Sequence, residues 1–469
     1  MVFSSPIFLF YFLPIVLLLY ILAKRSIYLQ NMVLFFASLV FYFWGEKEYS
    51  ILVMFSILVN YFIGIWIHDT GSDAIKKLVL GAGIVINISF LIYFKYYNFI
   101  INDILSSLFN VPKLSPSQMI HLPLGISFFT FHGLTYITDI FRKEAEVSRN
   151  PLNVGLYVLF FPQLIAGPIV RYKDIDTQLR GRSIDSEKLY TGTVRFIIGL
   201  AKKVLVANTL GNIADQIFAL EHKHVSGSLT WLALLCYTLQ IYYDFSGYSD
   251  MAIGLARVMG FQFLENFNFP YSATSIKDFW RRWHISLSTF FRDYVYIPLG
   301  GNKKGVGRTY LHLLVIFFLT GLWHGASWNF LIWGLFHGFF LVIERAGMGK
   351  IIDKMPRLIS QLYTLFIVVI AWLFFRIENV ADIGFYLKKL FFIDTYSSLA
   401  YYPLYYLRSN VLITFLIACI FVFPIHQTSS FKKFTHFKWF RDVIYLILFI
   451  LSLAMLSSST YNPFIYFRF

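Results

Sequence analysis

Long apolar runs separated by short polar loops are the dominant pattern of this chain. The first four runs cover Ile7 to Leu22, Met32 to Trp44, Ile51 to Ile67 and Leu78 to Tyr97. A helix needs roughly 17 to 25 residues to cross a bilayer, and shorter runs fit tilted or re-entrant helices. The whole pattern predicts an all-α polytopic membrane protein with about 11 transmembrane helices plus re-entrant or interfacial helices.

Composition and charge support a membrane protein. Only 14% of the 469 residues are charged and 58% are hydrophobic, whereas roughly 25% of an average soluble protein is charged. The formal net charge of +15 indicates basic cytoplasmic loops more than nucleic-acid binding. Cys236 and Cys419 lie in apolar runs, so we predict neither a structural disulfide nor a metal site.

Basic residues predict the orientation of the chain. The first run has no cleavage site and is followed by Lys24-Arg25, which places the N-terminus outside. By alternation, Asn98 to Gln118 is predicted to be an external loop and Arg171 to Lys203 a cytoplasmic loop with an interfacial helix. The last span, Val443 to Leu456, then delivers the tail 459–469 to the external face. With no visible repeat or linker, residues 1–469 are predicted to form one integral-membrane domain.

Two apolar runs are interrupted by Pro and Gly, at Leu122 to Phe128 and at Phe161 to Pro168. Such breaks are tolerated at membrane depth where neighbouring helices or a cavity satisfy the freed backbone groups. They indicate either kinked structural helices or bends that shape a central cavity. Asp244 also follows an apolar run, and it is predicted either to be functional or to pair with an arginine.

The catalytic core is predicted within residues 276–338, where ionisable residues and tryptophans enter apolar segments. Phe279 to His284 and Trp323 to Ala326 each contain a Trp-His pair. Ionisable groups at membrane depth are costly and mark wet cavities or chemistry. Ile276 to Tyr294 has apolar residues on one helical face with His284 at its edge, which predicts an amphipathic or re-entrant helix. The alternative is an interfacial helix with an incidental histidine.

His324 lies inside the apolar segment Leu313 to Phe340. A neutral imidazole there fits a general base, because its ordinary pKa of about 6.5 is near working pH. The alternative is a buried hydrogen-bonding group, which is the interpretation we give His337. Basic residues nearby predict a positively charged mouth for a phosphorylated ligand, although such charge is also normal on a cytoplasmic face. The residues of this mouth are Arg281, Arg282, Lys303, Lys304 and Arg308.

Several short sequence motifs, here called words, occur together and in one order. They are Met1 to Ser5, Phe41 to Gly45, Leu122 to Ser127, Phe161 to Pro168, Tyr243 to Asp250, Trp280 to Gly301 and Leu322 to Gly325. In these words the chain resembles the membrane-bound O-acyltransferase family, and within it the branch that O-acetylates alginate and peptidoglycan. The resemblance implies a helical bundle around a central funnel in the bacterial inner membrane. It also implies acetyl-CoA as donor and no permanently bound cofactor.

The resemblance also implies roles for the histidines. The histidine of the Trp-His-Gly word, His324 here, is the catalytic one, and His284 lies near the reaction centre. His324 would accept the proton of an acceptor hydroxyl that attacks the thioester, and His284 would hydrogen-bond the carbonyl or orient the donor. The cavity is expected to be shaped by Trp280, Trp283, Trp323 and Asp244.

Related systems pass acyl groups to a periplasmic transferase resembling SGNH hydrolases, which is the partner expected here. Tyr466 in the tail matches an aromatic tail that carries the acyl group in some of these systems. We therefore expect Tyr466 to be an acyl relay, with an interfacial aromatic anchor as the alternative.

Two other functions remain open from the sequence. A teichoic acid D-alanyl transfer protein would use an aminoacyl carrier protein as donor. A polytopic transporter or flippase would share the spans, broken helices and buried charges, but the absence of a visible repeat argues against it. The polymer is also open between peptidoglycan and an alginate-like exopolysaccharide.

Overall fold

The computed structural model describes residues 1–391, 401–428, 437–458 and 460–465. Within these ranges the chain is helical and contains no strand, which confirms the all-α prediction. The residues form two compact units: unit 1 is Met1–Phe196 with Met251–Leu264, and unit 2 is Ile197–Asp250 with Glu265–Phe469.

The helices that begin in unit 1 are α1 (Leu13–Leu22), α2 (Ile27–Gly45), α3 (Ser50–Asp69), α4 (Asp73–Leu91), α5 (Ile126–Phe141), α6 (Pro151–Leu159), α7 (Tyr172–Arg180) and α8 (Ser186–Ala201). Those that begin in unit 2 are α9 (Asn208–Phe218), α10 (Gly227–Val258), α11 (Ile276–Arg282), α12 (Ile285–Phe291), α13 (Val306–His324), α14 (Trp328–Ile343), α15 (Arg357–Arg376), α16 (Val380–Phe391), α17 (Ser409–Phe421) and α18 (Lys438–Ser458). Short 3-10, π-helical and single-turn segments extend or connect them.

Eight helical stretches of the described chain are long and apolar enough to span a membrane. They are Ile27–Gly45, Ser50–Asp69, Asp73–Phe109, Ser186–Phe218, Val306–His324, Trp328–Ile352, Arg357–Arg376 and Lys438–Ser458, with shorter apolar helices at Phe8–Leu22 and Ser409–Phe421. The multi-pass membrane character is thereby confirmed, while the count of about 11 spans remains a prediction.

Two segments that were predicted to be loops contain more helix than expected. The helix that begins at Asp73 continues through π-helical turns to Phe109, so much of the predicted external loop is helical. Residues of the predicted cytoplasmic loop form α8, which continues through the π-helical segment Lys202–Ala207 into α9. The helix expected to end at Lys203 continues for a physical reason: Lys203 is paired with Asp244 inside unit 2, which allows this charged residue to be buried.

Polar pairs inside unit 1 satisfy each other between apolar helices. The Asn60 amide nitrogen of α3 donates to Asn87 of α4 at 3.1 Å, and Asn87 donates back at 2.9 Å. Gly133 of α5 faces this pair, and an added Cβ would lie 2.6 Å from the Asn60 amide. A small residue therefore allows the three helices to meet around a satisfied amide pair.

The spans of unit 2 differ in burial. In α15, 61% of the most apolar stretch is buried, whereas in α18 the share is only 6%. Large apolar side chains such as Leu446 and Ile450 are exposed on α18. An exposed apolar surface of this kind fits contact with lipid, so α15 belongs to the interior of unit 2 and α18 to its lipid-facing surface.

Candidate active site

A tight hairpin of α13 and α14 carries His324. The two helices are joined by a three-residue turn. They pack closely because glycines lie at the contact: a Cβ at Gly334 would lie 2.2 Å from the Phe317 carbonyl oxygen. Gly325 follows His324 in the turn, and a Cβ there would lie 2.2 Å from the Phe330 ring. Small residues are therefore required for the close approach that fixes the end of α13.

His324 is the last residue of α13 and is 3% exposed. Its ring packs against Trp323 and Trp333, with centroids 4.9 Å away in both cases, and against Phe375 of α15 at 5.2 Å. The site is therefore an aromatic enclosure with little access to bulk water.

The backbone at His284 breaks the predicted amphipathic helix. His284 has a φ of 44° in the left-handed region and separates two seven-residue helices, α11 and α12. The prediction of one helix over Ile276 to Tyr294 was therefore wrong. The break directs His284 into the protein, where it is fully buried. Burial disfavours the charged ring and lowers the pKa of the His284 imidazole to about 3.

Asn266 fixes the orientation of His284. Its side-chain oxygen accepts the backbone N–H of Ser286 at 3.2 Å and the Ser286 hydroxyl at 2.9 Å. The same oxygen lies 3.2 Å from His284 Nδ1. A backbone N–H can only donate, so this amide atom is an acceptor and His284 Nδ1 must carry the proton. The neutral ring then has its lone pair on Nε2.

The two predicted histidines lie together in unit 2. The ring centroids of His284 and His324 are 6.5 Å apart, and the Trp323 ring lies 5.7 Å from His284. Two sequence words separated by α12, a loop and most of α13 thus contribute to one enclosure. The sequence did not indicate Asn266, because nothing near Glu265 to Phe269 carries a recognisable motif.

The other predicted tryptophans pack behind the histidines. Trp280 donates its indole N–H to Nδ1 of the buried His337 at 3.3 Å, and its ring lies 5.7 Å from that of Trp333. Trp283 is 2% exposed and packs against Trp372 of α15 at 4.9 Å. Trp280 and Trp283 thus pack in the aromatic cluster around the histidines, and His337 is held there by the indole N–H of Trp280.

A cavity of about 800 Å³ opens beside this aromatic cluster. Trp280 and Phe317 line its apolar part, and Trp280 also contacts Trp333, which in turn contacts His324. The basic residues of the lining are Lys277, Arg281, Arg292, Arg345 and Lys350, and its carboxylates are Glu344 and Asp353. The lining therefore carries an excess of positive charge that suits a polyanion.

Only one of the five residues predicted to form the positively charged mouth lines this cavity. Arg281 does so, whereas Arg282 binds both carboxylate oxygens of Asp278 at 3.0 Å. Lys303, Lys304 and Arg308 are exposed and lie outside the lining. Arg345 and Lys350 lie in the lining, and no sequence word indicated them.

Asp244 is 1% exposed and pairs with Lys203 at 2.8 Å, so its partner is a lysine and not an arginine. Tyr466 lies outside the described residues. Among those that are described, no cluster of His, Cys, Asp and Glu could hold a metal ion.

Comparisons with known proteins agree on one family. Residues 38–387 match the sequence pattern of MBOAT, the membrane-bound O-acyltransferase family. The chain is 39% identical over 497 aligned positions to a probable alginate O-acetylase AlgI of Pseudomonas putida, with full coverage of both chains. It is 37% identical to a peptidoglycan O-acetyltransferase of Helicobacter pylori, over 81% of this chain and 78% of the relative. A teichoic acid D-alanyltransferase of Bacillus subtilis is 34% identical over 48% of this chain and 61% of its own.

Proposed function

Because this chain belongs to the membrane-bound O-acyltransferase family, we propose that it moves acetyl groups from cytoplasmic acetyl-CoA across the bacterial inner membrane. The acetyl groups then O-acetylate an extracytoplasmic polysaccharide, peptidoglycan or an alginate-like polymer. Full-length similarity to an alginate O-acetylase, and similarity to a peptidoglycan O-acetyltransferase, support an acetyl group and a polysaccharide. A periplasmic transferase resembling SGNH hydrolases is the partner that completes the transfer.

One observation carries this proposal: two buried histidines share an aromatic enclosure beside a basic cavity. Their rings are 6.5 Å apart, and the aromatic surroundings exclude water that would hydrolyse a thioester. An acyl transfer needs a base next to the attacking hydroxyl and a separate site for the donor. The enclosure and the cavity supply these two parts.

His324 is the general base of the proposed reaction. It accepts the proton of the acceptor hydroxyl, whose oxygen attacks the thioester carbonyl and forms the new C–O bond. The tetrahedral intermediate then breaks its C–S bond, and the proton returns from His324 to the departing thiolate. The products are an acetyl ester and coenzyme A.

The Asn266 contact changes the role proposed for His284. In the neutral ring the proton lies on Nδ1, so Nε2 accepts hydrogen bonds and does not donate to a thioester carbonyl. We therefore propose that His284 Nε2 accepts a hydrogen bond from the His324 N–H and leaves the proton of the acceptor hydroxyl to His324. This bond would orient the His324 ring toward the hydroxyl, and such positioning contributes to catalysis.

The cavity of unit 2 is the proposed donor site. Coenzyme A carries phosphate groups, and arginine recognises phosphate by paired hydrogen bonds. Arg281 and Arg345 lie in the lining with Lys277 and Lys350, whereas Arg292 of the lining is already bonded to both carboxylate oxygens of Asp293. The first four residues would hold the phosphates, while the apolar part, with Trp280, receives the chain that ends in the thioester.

Tyr466 is the proposed acyl acceptor on this protein. Its phenol would take the acetyl group in the step described above and pass it to the periplasmic partner. Mass spectrometry of the tail peptide tests this step, with purified wild type and Tyr466→Phe after incubation with acetyl-CoA. The relay predicts an added acetyl group on the wild-type tail only, and acetate on both tails or on neither would refute it.

The donor distinguishes this proposal from its nearest alternative. Purified protein is given radiolabelled acetyl-CoA or a D-alanyl carrier protein, and label on the protein or release of coenzyme A is measured. We expect turnover with acetyl-CoA alone. Turnover with the aminoacyl carrier alone would favour the D-alanyl transfer function, and no covalent turnover of either donor would favour a transporter.

A further inference from the structure

The described end of the chain, residues 460–465, folds back into unit 2. We call it the tail segment. Phe464 is 4% exposed, and its ring stacks on Tyr248 of α10 with centroids 4.7 Å apart. Earlier in the segment, the Tyr461 hydroxyl donates to the Asp215 carboxylate at 2.7 Å. The tail segment is thus anchored along its length and does not run free after α18.

A buried ion pair holds the backbone of the tail segment. Lys203 and Asp244 are 2.8 Å apart, and their side chains are 3% and 1% exposed. The Lys203 ammonium also donates to the carbonyl of Pro463. The Asp244 carboxylate accepts the backbone N–H of Ile465 at 2.9 Å. The pair therefore bonds one acceptor and one donor of the same short stretch of backbone.

The chemistry of this pair matches a non-helical backbone. An ion pair loses so much hydration on burial that an apolar pair of equal size is often as stable. Residues 460–464 are not in a helix, so their backbone groups need partners from elsewhere. The Lys203 cation donates a hydrogen bond to the carbonyl, and the Asp244 anion accepts one from the N–H. An apolar pair could form neither bond. The tail segment thus explains why these two charges lie inside unit 2.

The helix that binds the tail segment also holds the histidine network. On α10, Asp244 and Tyr248 are four residues apart and contact the tail segment. The residues that follow each of them contact the site instead: Phe245 packs 4.7 Å from the His284 ring, and the Ser249 hydroxyl accepts a hydrogen bond from Asn266 at 3.1 Å. Tail and histidine are thus held by adjacent faces of one helix.

We infer that Lys203 and Asp244 are positioning residues that clamp the C-terminal tail beside the His284 network. The clamp fixes the point from which the chain continues to Tyr466. Its importance for acetyl transfer rests on the relay proposed above, whereas its effect on the tail segment does not.

Exchanging the charges of Lys203 and Asp244 distinguishes a clamp on the tail segment from an ion pair that only joins two helices. Lys203→Asp with Asp244→Lys keeps opposite charges between the same helices, but it turns an anion toward the Pro463 carbonyl and a cation toward the Ile465 N–H. A pair that only joins helices would tolerate the reversal. A clamp would release the tail.

The measurement is hydrogen exchange of the purified full chain by mass spectrometry. We expect exchange in the tail peptide to become about tenfold faster or more in the reversed variant, with α13 and α14 unchanged. The control reverses Lys173 and Glu144, a partly exposed ion pair in unit 1 whose charged atoms are 2.5 Å apart, and should leave tail exchange as in wild type. Unchanged tail exchange in the reversed variant, or equally faster exchange throughout unit 2, would overturn the clamp.

Acetylation of Tyr466 and polymer acetylation distinguish the clamp from the relay. With the clamp and the relay both correct, the reversed variant loses acetyl on Tyr466. If Tyr466→Phe acetylates polymer as well as wild type, the relay is wrong, but faster tail exchange still supports the clamp. If the tail is released and Tyr466 is acetylated at the wild-type rate, the positioning role is wrong.

Discussion

Replacing Asn266 by alanine tests how His284 is held. The substitution removes the acceptor of three donors: His284 Nδ1, the Ser286 N–H and the Ser286 hydroxyl. A buried donor without a partner costs about 1–3 kcal/mol. The serine hydroxyl can rotate to another partner, so we expect Asn266→Ala to lower the free energy of unfolding by about 2–4 kcal/mol.

The same substitution should affect catalysis through the tautomer of His284. A hydrogen bond worth about 1–1.5 kcal/mol favours one tautomer by roughly tenfold. Without it the proton can move to Nε2, and the ring loses its fixed orientation. We expect kcat for acetyl-CoA turnover to fall about tenfold while KM changes little.

Asn266→Asp is the informative comparison, because its carboxylate still accepts from His284 Nδ1. The new negative charge favours the imidazolium and raises the His284 pKa from its value of about 3 in the wild type. Since the proposed role needs a neutral ring, activity of Asn266→Asp should be lost as pH falls and recover as pH rises. The wild type should show no such loss from His284 at the same pH values.

Steady-state turnover between pH 5.5 and 8.5 and the thermal unfolding midpoint provide these data, with the range set about the ordinary histidine pKa of roughly 6.5. If Asn266→Ala has a lower unfolding midpoint but the same kcat as the wild type, the proposed role of the tautomer is refuted. A pH profile of Asn266→Asp identical to that of the wild type would also contradict it.

Other substitutions test the hairpin and the donor cavity. Gly334→Ala places a Cβ 2.2 Å from a backbone oxygen of the facing helix, so thermal unfolding should show a loss of about 1–3 kcal/mol. Gly384→Ala is the matched control: nothing lies within 4 Å of the new Cβ on α16, and we expect a gain of about 0.5–1 kcal/mol. Arg345→Gln with Lys350→Gln should raise KM for acetyl-CoA about tenfold or more with kcat retained. Lys354→Gln, which lies outside the cavity lining, should leave KM unchanged, and an equal rise in both variants would argue against the donor site.

Apolar run length predicted the helical membrane fold, because spanning a bilayer imposes a length that a sequence displays directly. The continuation of α8 through Lys203 into α9 was not predicted, because run length takes no account of charges paired between helices. Lys203 is compatible with a buried helix only because Asp244 neutralises it. That partner is distant in sequence, and no local pattern indicates it.

The two histidines were recognised from their sequence words, and the structure places them in one enclosure. The left-handed backbone at His284 and its contact with Asn266 were not predictable, since apolar periodicity continues across the break. Charge alone also did not indicate which basic residues line the cavity. Arg282 carries the expected charge, but Asp278 one helical turn earlier already binds it.

Acetyl-CoA turnover by a single histidine variant tests the central proposal most directly. Purified wild type, His324→Gln and His132→Gln are compared for release of coenzyme A, and near-native thermal unfolding of each variant is established first. His132 is the matched control, because it is also fully buried and its ring binds a backbone carbonyl at 3.3 Å in unit 1. Loss of a general base predicts a fall in kcat of about 100-fold or more for His324→Gln and little change for His132→Gln. Turnover by folded His324→Gln at the wild-type rate would contradict the assignment of His324 as the base.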